Sequence, residues 1–254
     1  PEAGAAVELW TELEADNSEA WQALLMQRLK EGNYDDARAA AESLMTAAKQ
    51  HGKDGFLEIA SAVTGAADAE PAIALFESIA HAHRRDPAAH YALGVALFGM
   101  RHYEKAENAL RQALALDKRD ARYWLLLSRV LTAQERGSEA EKLLETAIAH
   151  LPDERVLKLT YAESLVTQQN YELAYGIYRE LLEHQPDNLE MRQVVGVLGV
   201  ELERWQEARE QWLHLLEDSE KANRARFFLG QVESALGNVE DAIEYLNAVE
   251  DPLK

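Results

Sequence analysis

The side chains that could do chemistry are few, and their spacing works against it. His81 and His83, with His90 nearby, form the densest imidazole group in the chain. Two histidines separated by one residue point to different sides of a helix, and no carboxylate or further histidine stands where it would complete a ligand set. Glu201 with Glu203, and Glu217 beside Asp218, pair carboxylates without apolar surroundings that would close a pocket over them, so they read as solvated helix surface. There is no cysteine, which removes thiolate nucleophiles, zinc–thiolate sites and disulfides and leaves the redox compartment open. No phosphate-cradling glycine loop, serine elbow or metalloprotease helix motif occurs. Trp205 and Trp212, seven residues apart on one helical face, read as packing groups. These residues give no catalytic site and call for no metal or cofactor.

The charge balance narrows the partners. Asp and Glu number 45 against 26 Lys and Arg, a formal charge of −19, which repels nucleic acid and anionic membrane surfaces because both need a cationic footprint. No apolar run reaches the roughly 18 residues of a spanning helix, so no membrane insertion is expected. The chain opens at Pro1 without a methionine or an apolar leader. The expectation is a processed chain or a piece of a longer one, with any targeting segment out of view. Helix formers dominate and proline is low at 6, which points to an all-α protein.

What organises the chain is a period. Ala72, Ala106, Ala140, Ala174, Ala208 and Ala242 recur every 34 residues, and Ala37 joins after a slip of one. Each opens the second half of a two-helix unit and is followed four residues later by a larger apolar or aromatic residue. Within each half the apolar residues recur at helical spacing, and short turns that repeatedly contain Gly or Asn imply antiparallel helix pairs. The expected organisation is a lone helix over 1–17, the second half of a truncated unit. Seven units follow at 18–51, 53–86, 87–120, 121–154, 155–188, 189–222 and 223–254, forming one continuous solenoid. The seventh breaks register at Asp251 and Pro252. Small residues at Gly94, Ser128, Ala162, Gly196 and Gly230 are expected to bring the two helices of a unit close together.

This pattern resembles the tetratricopeptide repeat (TPR) family, whose 34-residue signature places a Trp, a Leu-Gly step, an Ala and a terminal Pro at fixed positions. Trp21 and Trp124 fit the first, the column from Ala37 to Ala242 fits the alanine, and Pro152 and Pro186 fit the last. The resemblance covers about residues 18–250. It implies a right-handed α-solenoid, the TPR superhelix, with first helices lining a concave groove and second helices forming the convex back. More narrowly, the stretch from Arg226 to Val249 looks like the repeat of bacterial TPR lipoproteins. Some of these sit at the Gram-negative outer membrane and deliver substrates to a periplasmic C-terminal-processing protease. That likeness favours the periplasm over the cytoplasm, although no lipobox is present in this sequence.

Mapped onto this sequence, the family's groove positions fall on Gln22, Met26 and Leu29, then Leu57, then Tyr91, Val95 and Phe98. They continue at Leu125 and Arg129, at Leu159 and Glu163, at Gln193 and Val197, and at Phe227 and Gln231. Chaperone-binding members hold a peptide carboxylate with Lys and Asn at positions that here carry Tyr91, Val95, Leu125 and Arg129, so that clamp is absent. A largely apolar lining suits an extended or helical protein segment docked by side-chain burial. The resulting expectation is a non-catalytic scaffold or adaptor for a protein or peptide partner, a protease among them. The alternatives are a self-associating module that uses its exposed end repeats, and the regulatory region of a larger enzyme.

Overall fold

The computed structural model describes residues 2–249, with side chains from residue 5 onward, and every regular element among them is an α-helix. The register break expected at Asp251 and Pro252 lies outside the described residues. The chain forms two compact units that divide between Leu151 and Pro152. The first holds α1 (Glu2–Leu13), α2 (Ser18–Glu31), α3 (Tyr34–Gln50), α4 (Gly55–Thr64), α5 (Ala69–Ala82), α6 (Pro87–Gly99), α7 (Tyr103–Leu116), α8 (Ala121–Ala133) and α9 (Gly137–His150). The second holds α10 (Arg155–Thr167), α11 (Tyr171–His184), α12 (Leu189–Glu201), α13 (Trp205–Leu215), α14 (Ala222–Leu236) and α15 (Val239–Asn247). Within each unit the helices pack as successive pairs, α2 on α3 through α8 on α9, and α10 on α11 through α14 on α15.

Each turn within a pair is set by backbone geometry that recurs with the period. Gly32, Arg101, Glu135, Gln169, Glu203 and Gly237 all have φ between +55° and +84°. The amide of the next residue then donates back to the carbonyl five positions earlier: Asn33 to Arg28, His102 to Leu97, Arg136 to Leu131, Asn170 to Leu165, Arg204 to Gly199 and Asn238 to Glu233, all at 2.8–2.9 Å. This closes the helix end by satisfying carbonyls that have no partner within the helix. Glycine supplies the left-handed residue itself at only two of these six turns, Gly32 and Gly237. At four of the six the left-handed residue is Arg, Glu or Gln, at a cost of roughly 1–2 kcal/mol each. The turn between α4 and α5, Gly65 to Asp68, lacks this device, and Gly65 has φ −86°.

The starts of the first helices are fixed from the other side. Asp86 and Asp120 accept from the amides of Ala88 and Arg122 at 3.0 and 2.9 Å, and Asn17 accepts from Glu19 at 2.9 Å, each satisfying an amide that the helix leaves free. The indole N–H of Trp21 donates to the Ala15 carbonyl at 2.8 Å, and that of Trp124 to the Lys118 carbonyl at 2.9 Å. His90 Nε2 reaches the Arg84 carbonyl at 3.1 Å and Arg192 reaches that of Pro186 at 2.5 Å. All four reach back six residues. In four of the first helices the signature tryptophan position therefore carries a donor that ties the helix to the loop before it, whatever ring or guanidinium supplies that donor.

Close approach of the two helices in a pair rests on small residues, and the structure shows what each meets. A Cβ added at Gly94 would stand 2.7 Å from Leu110 Cγ, at Gly196 2.8 Å from Trp212 Cε2, and at Gly230 2.5 Å from Leu246 Cγ. The small position on the first helix thus faces the large residue four places after the alanine. The alanine meets another part of the first helix, since a Cβ at Gly199 would lie 3.1 Å from that of Ala208. The alanines from Ala37 to Ala242 are all buried. Trp212 is buried so completely that its indole N–H finds no acceptor among the described residues. One departure stands out in the second unit. Glu233 occupies a position that is Leu97, Leu131 and Leu165 in other pairs, yet it is 0% exposed, held by Arg209 Nε at 2.5 Å and Asn238 Nδ2 at 2.7 Å.

Because the indole ring against Gly196 cannot swing aside as a flexible side chain would, Gly196→Ala should cost about 1–3 kcal/mol through overpacking. Chemical denaturation checks it: the midpoint should fall while the slope stays constant. Gly137→Ala, with nothing within 4 Å of the added Cβ, should leave the midpoint in place. Equal midpoints for all three proteins would contradict the close-contact account.

Candidate functional site

In the first unit, α6 buries Ala89, Ala92, Leu93, Ala96 and Leu97, so the residues between them at three- and four-residue spacing must face outward. These are Tyr91, Val95 and Phe98, all half-buried. On α8 the same logic turns Leu125 (half-buried) and Arg129 (exposed) to the same side. The two helices meet through one contact used twice. The Arg122 guanidinium lies 5.3 Å from the Tyr91 ring centroid, and that of Arg129 lies 5.5 Å from the Phe98 centroid. Both pairs share the same sequence offset, so the helical register that sets one sets the other. Tyr91 also lies 5.0 Å from the buried ring of Tyr123.

The two arginines are held differently. Asp120 grips Arg122, with Nη2 at 2.6 Å and Nε at 3.0 Å, while also capping α8. That hydrogen bond holds the Asp120 carboxyl below its ordinary range, and burial pushes the Tyr91 hydroxyl up. Arg129 has only the Phe98 ring beneath it and forms no ion pair among the described residues. Arg122 was not among the residues singled out from the sequence. Its signal was the repeated offset that links Tyr91 to Arg122 and Phe98 to Arg129.

Elsewhere in this unit Met26 on α2 is 47% exposed and Leu57 on α4 is half-buried. One residue assigned to the lining by register is buried instead, and another is tied to a neighbouring helix. Leu29 is 2% exposed, and the Gln22 amide donates to the Glu58 carbonyl at 3.2 Å, tying α2 to α4. The histidines are likewise occupied separately. His83 sits edge-on to Phe56 with centroids 5.2 Å apart, His90 bonds the Arg84 carbonyl, and His81 is exposed on α5.

In the second unit the corresponding stripes carry Leu159, Gln193 and Val197, half-buried, and Glu163, Phe227 and Gln231, exposed. Phe227 packs edge-on against Phe228, which stacks on Trp212 with centroids 4.3 Å apart and an interplanar angle of 8°. Burial, with the Glu163 charge added, pushes the Tyr178 hydroxyl up to about 12. This stripe is more polar than that of the first unit, with Gln193 and Gln231 in it and an acidic Glu163 in place of the arginine. Apart from Leu29, none of the residues from Met26 to Gln231 assigned to the groove falls in the buried core.

Residues 98–226, half of the chain, match the family model described as the cytochrome c-type biogenesis protein H TPR domain, and residues 64–130 match a tetratricopeptide repeat model. A TPR repeat-containing protein of Pseudomonas aeruginosa is 28% identical over 160 residues, 61% of this chain and 26% of the relative, so the chain spans about a quarter of that protein. Among solved structures, YrrB, "a TPR protein with an unusual peptide-binding site", superposes with a TM-score of 0.57 at 21% identity, covering 68% of this chain and 89% of its own. MamA AMB-1 superposes at 0.54 with 21% identity, covering 63% and 88%. At these identities the structural likenesses establish the fold.

The Asp120–Arg122 pair gives a pH signature. The folded carboxyl titrates below its unfolded value of about 3.9, so the stability it contributes is present above that pH and is lost as pH falls through the folded value. In Asp120→Asn, which keeps a capping side chain, the melting temperature should lie below wild type at about pH 7 and converge with it below about pH 4. A gap that stays constant across the acid limb would count against the pair.

Proposed function

The chain belongs to the cytochrome c-type biogenesis protein H TPR domain family of tetratricopeptide repeat proteins, and on that premise we propose that it is a non-catalytic scaffold. It docks a segment of a partner protein on the outward faces of its first helices. One observation carries this reading: the first unit presents Tyr91, Val95, Phe98 and Leu125 as a half-buried apolar stripe, with an unpaired Arg129 beside it, on a chain of formal charge −19. Apolar side chains that neighbours cover only in part are anchors that a partner can finish burying. A cation over an aromatic ring, without its own carboxylate, favours a segment that brings one.

The peptide-binding site named for YrrB belongs to that protein, and docking of the same general kind is the proposal here. The description of the matched model makes proteins of cytochrome c-type biogenesis the first partners to try. Delivery of substrates to a periplasmic protease rests on the resemblance carried by Arg226 to Val249 and is the next to try. A second reading, self-association, is favoured by Val239, Ile243 and Leu246, which are 62%, 55% and 45% exposed along one side of α15. A strict monomer in light scattering at high concentration removes it.

The test is the double variant Tyr91→Ser/Phe98→Ser. Partner capture should fall by about tenfold or more, while helix content and the melting temperature stay near wild type. Loss of folding would return both rings to the core, and full retention of binding would place the site elsewhere.

A further inference from the structure

The first unit holds a second concavity, on a side of α6 other than the stripe of Tyr91 and Phe98. A cleft of about 310 Å³ lies between α5 and α7, floored by Leu93 and Leu97 and walled by Ala80 and Ala109. Its volume is written in the sequence. Ala80 stands where later repeats carry Leu114, Ile148, Leu182 and Leu216, and Ala109 where neighbouring repeats carry Leu75, Leu143 and Ile177. His90, at the back, replaces the larger indoles of Trp21 and Trp124. Three reductions in size thus converge on one groove, and an interior otherwise packed to high density does not leave such a space by chance. An ion pair from Lys105 to Glu77 at 3.3 Å joins the two walls.

The mouth carries charges of both signs and leaves one cation without a carboxylate. Lys105 is matched by Glu77 at 3.3 Å and Glu70 at 3.9 Å, whereas Arg84 is exposed and has no ion pair among the described residues. The floor is the reverse: Ala80, Leu93, Leu97 and Ala109 are all buried and apolar. The volume is at the low end of small-molecule sites, which run from about 300 to 1,000 Å³. The cleft is open along its length, so it can bury one large side chain but not a whole metabolite.

We propose that this cleft is a second docking site, taking one branched-aliphatic or aromatic side chain from an acidic protein segment, with a neighbouring carboxylate on Arg84. The apolar group fills the space that Ala80 and Ala109 leave, and Arg84 selects the acidic neighbour. The site is independent of the first-helix stripe, so a segment long enough could engage both faces or two partners could bind at once.

The test uses a dye-labelled peptide, acetyl-Glu-Glu-Phe-Glu-Glu-amide, titrated by fluorescence anisotropy, with the central Phe replaced by Ala as control. Ala80→Leu/Ala109→Leu restores the side chains of the neighbouring repeats, and its melting temperature should equal or exceed that of wild type. It should weaken binding by about tenfold or more, a change typical of losing one anchor. Arg84→Ala should weaken binding several-fold and flatten its salt dependence, and it decides the question if the filled variant does not fold. Tyr91→Ser/Phe98→Ser should bind the peptide as wild type does. No binding by wild type, unchanged binding in both cleft variants, or loss confined to Tyr91→Ser/Phe98→Ser would overturn the proposal, and the last of these would assign the peptide to the first-helix stripe instead.

Discussion

The structure depends on one contact, a residue with little or no side chain on the first helix of a pair set against a large residue on the second. Gly94 lies against Leu110, Gly196 against Trp212 and Gly230 against Leu246, each too close to admit a Cβ without displacement. Such a contact fixes the rotation of both helices about their axes, because a turn of either would drive a side chain into the other backbone. Once rotation is fixed, the assignment of faces follows. One side of α6 is spent on Ala92, Leu93, Ala96 and Leu97, and Tyr91, Val95 and Phe98 are left for neighbours and solvent. Placing the candidate stripe is therefore a consequence of packing, and no further interaction is needed to explain why those residues point outward.

Polar interactions then fix the ends of the helices. Recurrent left-handed turns satisfy the carbonyls at the end of every first helix but α4, and asparagine or aspartate caps with a donor reaching back six residues set where many of the first helices begin. These are short-range devices repeated with the period, which suits a chain whose pairs contact mainly their neighbours. Ion pairs add less. Arg136 bridges Glu107 and Glu139 at 2.5 and 2.6 Å, but most such pairs are solvated and worth little individually. The exception is Glu233, whose burial makes its partners Arg209 and Asn238 obligatory.

Much of this was legible in the sequence, for a physical reason. The alanine column and the small residues at Gly94 and Gly196 report backbone proximity, which tolerates few alternatives, so the register they set transfers directly to the outward residues. Leu29 was misplaced because register alone does not say which positions the neighbouring side chains cover. The left-handed turns at Arg101, Glu135, Gln169 and Glu203 were not legible, since those residue types carry no signal for positive φ; the backbone hydrogen bond imposes it. Arg122 was missed because its role arises between repeats, in a contact with Tyr91 on another helix. The cleft at Ala80 and Ala109 could have been found by reading the repeats as columns and asking where size is lost.

The central claim is that packing consumes one face of each first helix and leaves the other open. Hydroxyl-radical footprinting of the free protein tests it directly, because it reads side-chain accessibility residue by residue without needing a partner. Met26 and Phe227, at 47% and 44% exposure, should label fast and Phe98 at an intermediate rate, whereas Trp212 and Phe76, both 0% exposed, should be protected. Labelling of Trp212 as fast as that of Phe227 would mean that the pairs do not close as described, and the assignment of faces would fall with them.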